Sequence, residues 1–200
     1  MKIINFSEFG QTPIDEDEKS ALIPYLTTLD ELNSWEHENI IEARQWVLSS
    51  KILNQHDIFD VTFLLKLHKK MFDKTWEWAG CFRKTGKNIG CEVYNIRSEL
   101  KKLYDDAEFW VSNQTYSIEQ IALIFHHRLV KIHLFPNGNG RHARLLSDCI
   151  IKKFAPQHKI EWQGTNFTSS QELRKCYIMA LRKADSGDYT QLFGLFLENV

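Results

Sequence analysis

Apolar residues along most of the chain recur every three or four positions, which is the spacing of one face of an α-helix. The clearest stripe follows Ser117 and consists of Ile118, Ala122, Phe125, Leu129 and Ile132. Ser117 and Gln120 form a capping-box sequence ahead of it, and Thr28 and Glu31 form another ahead of an earlier stripe. The pattern therefore predicts helices that begin next to these two capping boxes.

The other stripes predict a mostly helical chain after an extended N-terminal segment at residues 1–28. Beyond a first helix at about residues 30–50, they predict helices at Val61–Phe72, Ser98–Ser112, Arg141–Phe154, Gln171–Ala184 and Tyr189–Leu197. Glycines at positions 80, 86 and 90 interrupt the helical period. Short β-like runs at Lys87–Ile89 and Cys91–Ile96 predict one small hairpin around Gly90. The expected architecture is all-α with a single β-hairpin.

Composition narrows the class of protein. Hydrophobic residues make up 43% of the chain and charged residues 26%, as in ordinary globular domains. Lys and Arg number 25 against 26 Asp and Glu, so no overall basic field argues for a nucleic-acid partner. The four cysteines form no CxxC pair, which indicates reduced thiols rather than a metal site. With no signal peptide or membrane-spanning run in the sequence, we expect a cytoplasmic protein without a membrane partner.

The stretch HLFPNGNGRHAR, from His133 to Arg144, breaks a helical pattern with two Asn-Gly pairs and restarts it at once. Backbone N–H groups at a helix start are unpaired and carry partial positive charge. Gly138 and Gly140 remove side chains that would keep an anion away, and Arg141 and Arg144 share one helix face. These features predict a cradle for more than one phosphoryl group.

His133 lies at the mouth of this cradle, where an imidazole suits a general base acting on a hydroxyl. The simpler interpretation is a helix corner with surface arginines, but so many features within twelve residues favour the functional one. His126, His127 and His142 are expected to be packing or surface residues, because no zinc-binding spacing surrounds them.

The same stretch resembles the signature of the Fic/Doc family, HPFx[D/E]GNGRxxR. Two other regions are similar to the Fic core, namely LHKKMF with WEWAGCFR before the predicted hairpin and YIMALRKADSGDY near the C-terminus. The resemblance covers roughly residues 60–195. It implies a Fic fold, which is a bundle of about seven or eight helices with a hairpin, the flap, beside the active-site loop. Residues 51–200 would form this core domain.

The resemblance also implies an activity, the transfer of AMP from ATP to a Ser, Thr or Tyr hydroxyl of a target protein, with Mg²⁺. His133 would deprotonate the hydroxyl. Phosphates would bind the backbone of Gly138, Asn139 and Gly140, assisted by Arg141 and Arg144. The target would dock on the flap, whose residues Lys87, Asn88, Ile89 and Gly90 would also line the nucleotide pocket. Tyr177 and Asp185 match positions near the adenosine.

Two positions depart from the family pattern. Leu134 replaces a proline, which we interpret as a tolerated loop change. Asn137 stands where an Asp or Glu usually binds Mg²⁺, and a neutral amide oxygen is a weaker ligand for this cation. Asn137 is therefore only a tentative metal ligand, and catalytic rate depends on whether the phosphates hold the metal.

Ser34, Glu38 and Asn39 match the inhibitory motif [ST]xxxE[GN] of regulated Fic proteins. They lie in the predicted region 29–50, ahead of the core. The resemblance implies that Glu38 pairs with Arg144 and so keeps ATP in an unproductive pose, with Ser34 orienting the helix.

Other interpretations stay open at this point. The same fold could transfer the γ-phosphate as a kinase does, or remove AMP with Glu38 activating a water. The chain could also be a non-catalytic nucleotide-binding regulator. The target protein, the oligomeric state and the need for a partner antitoxin do not follow from the sequence.

Overall fold

The computed structural model describes residues 19–162 and 171–197. These residues form eight α-helices and one 3₁₀-helix, Val93–Asn95, which precedes the fourth α-helix. The α-helices are α1 (Leu29–Val47), α2 (Ser50–Gln55), α3 (Val61–Phe72), α4 (Ile96–Asn113), α5 (Ile118–Ile132), α6 (Asn139–Phe154), α7 (Gln171–Ala184) and α8 (Thr190–Phe196). No helix in this part of the chain is both long and apolar enough to cross a bilayer.

Both predicted capping boxes are present. The Thr28 hydroxyl accepts from the Glu31 N–H at 3.2 Å, and the Glu31 carboxylate accepts from the Thr28 N–H at 3.1 Å. Ser117 and Gln120 exchange the equivalent pair of bonds at the start of α5. Because each box pairs two otherwise open N–H groups, it sets where its helix begins. The short helix α2 was not predicted, since six residues are too few to show a period.

The central element of the bundle is α5. Seven consecutive residues, from Ile121 to His127, are buried, as expected of a helix that is covered on every side. It packs against α4 and α6, while α1 packs against α3. The C-terminal end of this buried helix delivers His133 to the loop that follows.

The predicted hairpin is wrong, because residues 81–92 form no strand. Their backbone groups pair with other partners. The Arg83 N–H donates to the Leu134 carbonyl at 2.9 Å, and the Cys91 N–H donates to the Ile132 carbonyl at 3.3 Å. The guanidinium of Arg83 takes the carbonyls of Thr85 and Cys91 that a strand ladder would need. The segment is therefore an irregular loop fastened to the His133 region.

Of the N-terminal segment predicted at residues 1–28, residues 1–18 lie outside the described part of the chain. Residues 19–28 precede α1, and Leu22 among them forms a β-bridge with Trp76 of the core.

Gly138 offers a test of the geometry of the loop before α6. Its φ is +78°, and a Cβ added there would lie 2.5 Å from Cζ of the buried Phe72 ring. Replacing Gly138 with Ala should lower the free energy of unfolding by about 3 kcal/mol, because backbone strain and overpacking add. Urea denaturation measures this loss.

The matched control is Gly194→Ala in α8, where an added Cβ meets no atom within 4 Å. This change should leave stability unchanged or raise it slightly, since Ala favours a helix over Gly. Equal effects of the two substitutions would contradict the packing of Gly138 against Phe72.

Candidate active site

The candidate site forms where α5 ends and α6 begins. His133 caps α5 in the left-handed conformation with φ 59°, and Gly138 precedes α6 in the same conformation with φ 78°. The prediction started α6 at Arg141, whereas the helix already begins at Asn139. The two left-handed residues reverse the chain within a few positions, so the end of one buried helix meets the start of another.

The side chain of Asn139 closes this loop. Its amide oxygen accepts from the Phe135 N–H at 2.9 Å, and its amide nitrogen donates to the Phe135 carbonyl at 2.8 Å. The side chain is buried, so both backbone groups of Phe135 are satisfied without water. Asn139 therefore stabilises the loop through its side chain, in addition to the backbone role predicted for it.

A buried histidine that the sequence analysis missed supports the loop from below. The ring of His68 stacks on that of Phe135, with 3.6 Å between centroids. The Gly80 N–H donates to its Nδ1 at 2.9 Å, so the ring proton is on Nε2, which lies 3.2 Å from the Asn137 carbonyl. Burial, and then the charge of His142, lower the pKa of His68 well below its usual value. His68 thus joins α3, the Gly80 turn and the loop as a neutral ring.

The Asn137 amide oxygen does not project as a free metal ligand, since it accepts from the Gly138 N–H at 2.5 Å. The Asn137 amide, predicted to bind a metal, and the Gly138 N–H, predicted to bind a phosphate, are thus hydrogen-bonded to each other. Among residues 19–162 and 171–197, no cluster of three His, Cys, Asp or Glu side chains could hold a metal ion. The residues present do not form a site that would hold Mg²⁺ by itself.

His133 is buried, with 3% of its surface exposed. Burial, followed by the positive charges of Arg83 and Lys87, lowers its pKa from 6.5 to about 4. The Arg83 Nε–H donates to the His133 carbonyl at 2.5 Å, which keeps this charge close by. The imidazole of His133 is therefore neutral at neutral pH and can accept a proton.

The predicted flap residues lie beside His133. A Cβ added at Gly90, whose φ is +102°, would fall 2.6 Å from the His133 Cβ and 3.0 Å from Arg83 Nη2. Only glycine fits between these groups, so the loop packs directly on the histidine.

The two arginines of the loop have different surroundings. Arg141 donates through Nη1 to the Glu36 carboxylate at 2.6 Å, and its guanidinium lies 5.0 Å from the centre of the Phe72 ring. Arg144 points back towards Gly140, where an added Cβ would lie 3.6 Å from its Nη1. Burial raises the pKa of Tyr177, and the charge of Arg144 partly offsets this rise. The Tyr177 hydroxyl lies 2.7 Å from His126 Nε2.

One groove of about 1840 Å³ brings nearly all the predicted site residues together. The loop forms its floor, and α1, the flap residues and α7 line its sides. The predicted residues that line it are Ser34, Glu38, Asn88, Ile89, Gly90, His133, Asn137, Gly138, Asn139, Gly140, Arg141, Arg144, Tyr177 and Asp185. Lys87 and Asn39 are not among the lining residues. Asn39 is buried and donates to the Trp35 carbonyl at 2.9 Å.

The chain is similar to proteins of one known family. Residues 58–151 match the model of the Fic/DOC family. This part of the chain is similar to a Fic/DOC domain. A protein adenylyltransferase Fic from Culex quinquefasciatus is 27% identical over 124 residues, which are 59% of this chain and 25% of that protein. The protein adenylyltransferase fic-1 of Caenorhabditis elegans is 29% identical over 129 residues, with the same coverage. The chain thus spans about a quarter of the length of these curated relatives.

Solved structures show the Fic fold. BepC from Bartonella tribocorum, crystallised with bound AMPPNP, matches with a TM-score of 0.64 at 19% identity, over 90% of this chain and 96% of that one. Fic-1 from C. elegans matches with a TM-score of 0.57 at 26% identity, over 76% of this chain and 44% of that one. The predicted all-helical Fic bundle is therefore confirmed, apart from its hairpin.

Helix α1 lies outside the matched Fic domain and packs on it. The predicted ion pair between Glu38 and Arg144 is not formed in the described part of the chain, where Glu38 is exposed on the groove wall. The acidic residue of α1 that pairs with a loop arginine is Glu36, and its partner is Arg141. Successive helical residues are about 100° apart, so Glu36 and Glu38 project about 200° apart around α1.

The two predicted adenosine neighbours already have partners. The Tyr177 hydroxyl is bonded to His126, as described above. Asp185 lies 3.1 Å from His127 Nε2 and 3.4 Å from Lys131 Nζ. Both residues line the groove, yet a nucleotide would meet side chains that are engaged with the Fic core.

The buried, neutral His133 predicts a pH dependence of stability. Its pKa of about 4 in the folded protein lies below its ordinary 6.5, so the unfolded chain binds a proton more readily. The stabilising contribution is complete above pH 6.5 and is lost as the pH falls towards 4. Through this group, the free energy of unfolding of the wild-type protein should fall by about 2 kcal/mol between pH 7 and pH 5.

The variant His133→Asn lacks this titration, so its free energy of unfolding should fall less over the same range by that amount. Urea unfolding of both proteins at pH 7 and pH 5 measures the difference. Parallel pH curves for the two proteins would show that His133 is not the buried, neutral group described here.

Proposed function

We propose that this protein is a protein adenylyltransferase that transfers AMP from ATP to a hydroxyl of a target protein. The observation that carries the proposal is the position of a buried, neutral His133 beside the start of α6 and its two arginines, in one groove. The names of the curated relatives and the AMPPNP bound to BepC support the same activity.

The start of α6 is the proposed phosphate site. Its first N–H groups have no partner within the helix, and the helix dipole favours negative charge there. Next to Gly140, only Arg144 approaches the position of an added Cβ, at an ordinary contact distance of 3.6 Å. Phosphate oxygens can therefore approach this backbone closely, with Arg141 and Arg144 on the same face of the helix.

In the proposed reaction, His133 accepts the proton of the target hydroxyl as its oxygen attacks the α-phosphorus of ATP. The new bond joins that oxygen to phosphorus, the bond from the α-phosphorus to its bridging oxygen breaks, and pyrophosphate leaves. A pKa of about 4 makes His133 a weak base in the free protein. Nearby phosphates favour the charged imidazolium, so bound ATP raises this pKa towards the useful range.

ATP would supply the metal site that the described residues do not form. Mg²⁺ binds readily to nucleotide phosphates and keeps several waters, so a weak ligand such as Asn137 is not essential to it. The four cysteines are free thiols, which together with an ATP substrate fits action in the cytoplasm.

The target would lie along residues 87–90, next to His133. Ile89 and Tyr94 offer apolar surface there, being 49% and 82% exposed. An extended stretch of the target in this position would bring its hydroxyl to the imidazole.

Labelled ATP tests the reaction directly. In a lysate with α-³²P-ATP, the active protein should transfer label to protein beyond the label seen in the lysate alone. With γ-³²P-ATP it should add no label beyond that of the lysate's own kinases. His133→Ala should reduce α-label by at least about 100-fold, as expected for loss of a general base. His158→Ala, an exposed histidine outside the groove, is the matched control.

The result with each label separates the alternatives. Label from the γ-position would indicate a kinase-like enzyme. Absence of label from both, with ATP still bound in calorimetry, would indicate a nucleotide-binding regulator and contradict the proposal.

We further propose that Glu38 restrains the reaction, because its exposed carboxylate lines the same groove as Arg144 and would repel the terminal phosphates of ATP. Glu38→Gly should increase α-label about tenfold or more, since repulsion of the γ-phosphate is removed. Glu42→Gly is the control for a glycine in α1, because Glu42 is exposed and lies outside the groove. Equal labelling by wild type and Glu38→Gly, at equal ATP occupancy, would rule out this restraint.

A further inference from the structure

Glu36 is a buried acidic residue on α1, at a position that the inhibitory motif of Ser34, Glu38 and Asn39 leaves unspecified. It lies outside the residues 58–151 that match the Fic/DOC family, and only 3% of its surface is exposed. One carboxylate oxygen accepts from the Trp76 Nε1–H at 2.7 Å, and the other accepts from Arg141 Nη1 at 2.6 Å. Both oxygens are therefore engaged, one by a buried neutral donor and one by an arginine of the site.

Arg141 is held from a second side as well. Its guanidinium lies 5.0 Å from the centre of the Phe72 ring, and its side chain is 19% exposed. Phe72 is itself fully buried and would be struck by any side chain at Gly138. Glu36 and Phe72 together fix one guanidinium in the first turn of α6, next to the proposed phosphate site.

This pair differs from the other ion pairs that hold α1. Arg44 is 53% exposed although its partner Asp148 is only 9% exposed, and Lys74 and Glu42 are 54% and 62% exposed. Water can replace the exposed members of these pairs, whereas Arg141 is only 19% exposed and Glu36 only 4%. If Arg141 left Glu36, a carboxylate would remain buried without its counter-charge, which is strongly unfavourable. We therefore expect the pair between Glu36 and Arg141 to persist when a ligand enters the groove.

We propose that Glu36 is a positioning residue that holds Arg141 in the orientation that binds phosphate, so that α1 is a working part of the site. The inference rests on the proposed function and deepens it. Helix α1 then has two opposite effects on the reaction. Glu36 supports it by positioning Arg141, and Glu38, two residues later, restrains it. The restraint by Glu38 must therefore be relieved while α1 stays packed on the core. If α1 dissociated, Arg141 would lose its contact with Glu36.

The test compares variants in the Glu38→Gly parent, in which the restraint is removed. Glu36→Gln keeps the size and the Trp76 bond but loses the charge that orients Arg141. It should weaken ATP binding about tenfold and lower α-label by a similar factor, measured by calorimetry and by labelling with kcat and KM separated. A residue that restrains the enzyme would instead raise labelling when replaced.

Three further variants isolate the role of Glu36. Glu36→Asp should recover part of the ATP affinity, which a purely structural loss would not predict. Adding Glu36→Gln to Arg141→Gln should cause no further loss, since Glu36 acts through that arginine. Glu42→Gln, which removes an exposed contact of α1, should match the parent.

Each outcome decides one question. Unchanged ATP affinity and labelling in Glu36→Gln, or additive losses in the double variant, would overturn the role of Glu36. If Glu36→Gln does not fold, Trp76→Phe removes the other bond to Glu36 and should cause a smaller loss of the same kind, and parental ATP affinity in that variant would overturn the inference. A parent without α-label would overturn the adenylyltransferase proposal alone, and the change in ATP affinity would then decide the role of Glu36.

Discussion

The double hydrogen bond between the Asn139 side chain and the backbone of Phe135 is the interaction on which the site depends. Between the end of one buried helix and the start of the next, it satisfies both backbone groups of the buried Phe135. Without this closure, the imidazole at the end of α5 and the open N–H groups of α6 would not share one groove. The reactive geometry is thus a product of chain reversal in the core rather than of a surface loop.

Two buried basic side chains make that reversal rigid. His68 stacks on Phe135 and stays neutral, so it supports the loop without adding charge. Arg83 keeps its charge and satisfies it with the carbonyls of Thr85, Cys91 and His133. Three carbonyl partners compensate for the loss of water around the guanidinium, as a buried charge requires. Burial of the His133 ring, and then this nearby charge, lower its pKa and keep the ring unprotonated at neutral pH.

The helices and the loop could be predicted from sequence because their causes are local. The capping boxes at Thr28 and Ser117 involve residues three apart, and the boundaries Val61–Phe72 and Gln171–Ala184 follow from periodicity alone. Most of the residues that line the groove were predicted from the family resemblance. The hairpin prediction failed because partners distant in sequence, at Ile132 and Leu134, compete for the same backbone groups. Glu36 and His68 were missed for a similar reason, since a single Glu or His in a helical stretch shows no sign of its tertiary partner. The signal that could have suggested Glu36 and His68 is a polar residue at a helix position that the apolar period predicts to be buried.

The bond between the Asn137 amide and the Gly138 N–H has a consequence for ligand choice. The Asn137 amide oxygen occupies the place of an anion at the Gly138 N–H, and an oxygen that binds this N–H must displace it. A lone inorganic phosphate gains few other contacts in exchange, whereas a triphosphate gains several along α6 and at both arginines. A ligand that displaces the Asn137 amide must therefore compensate for this bond, and a longer phosphate chain does so through its additional contacts.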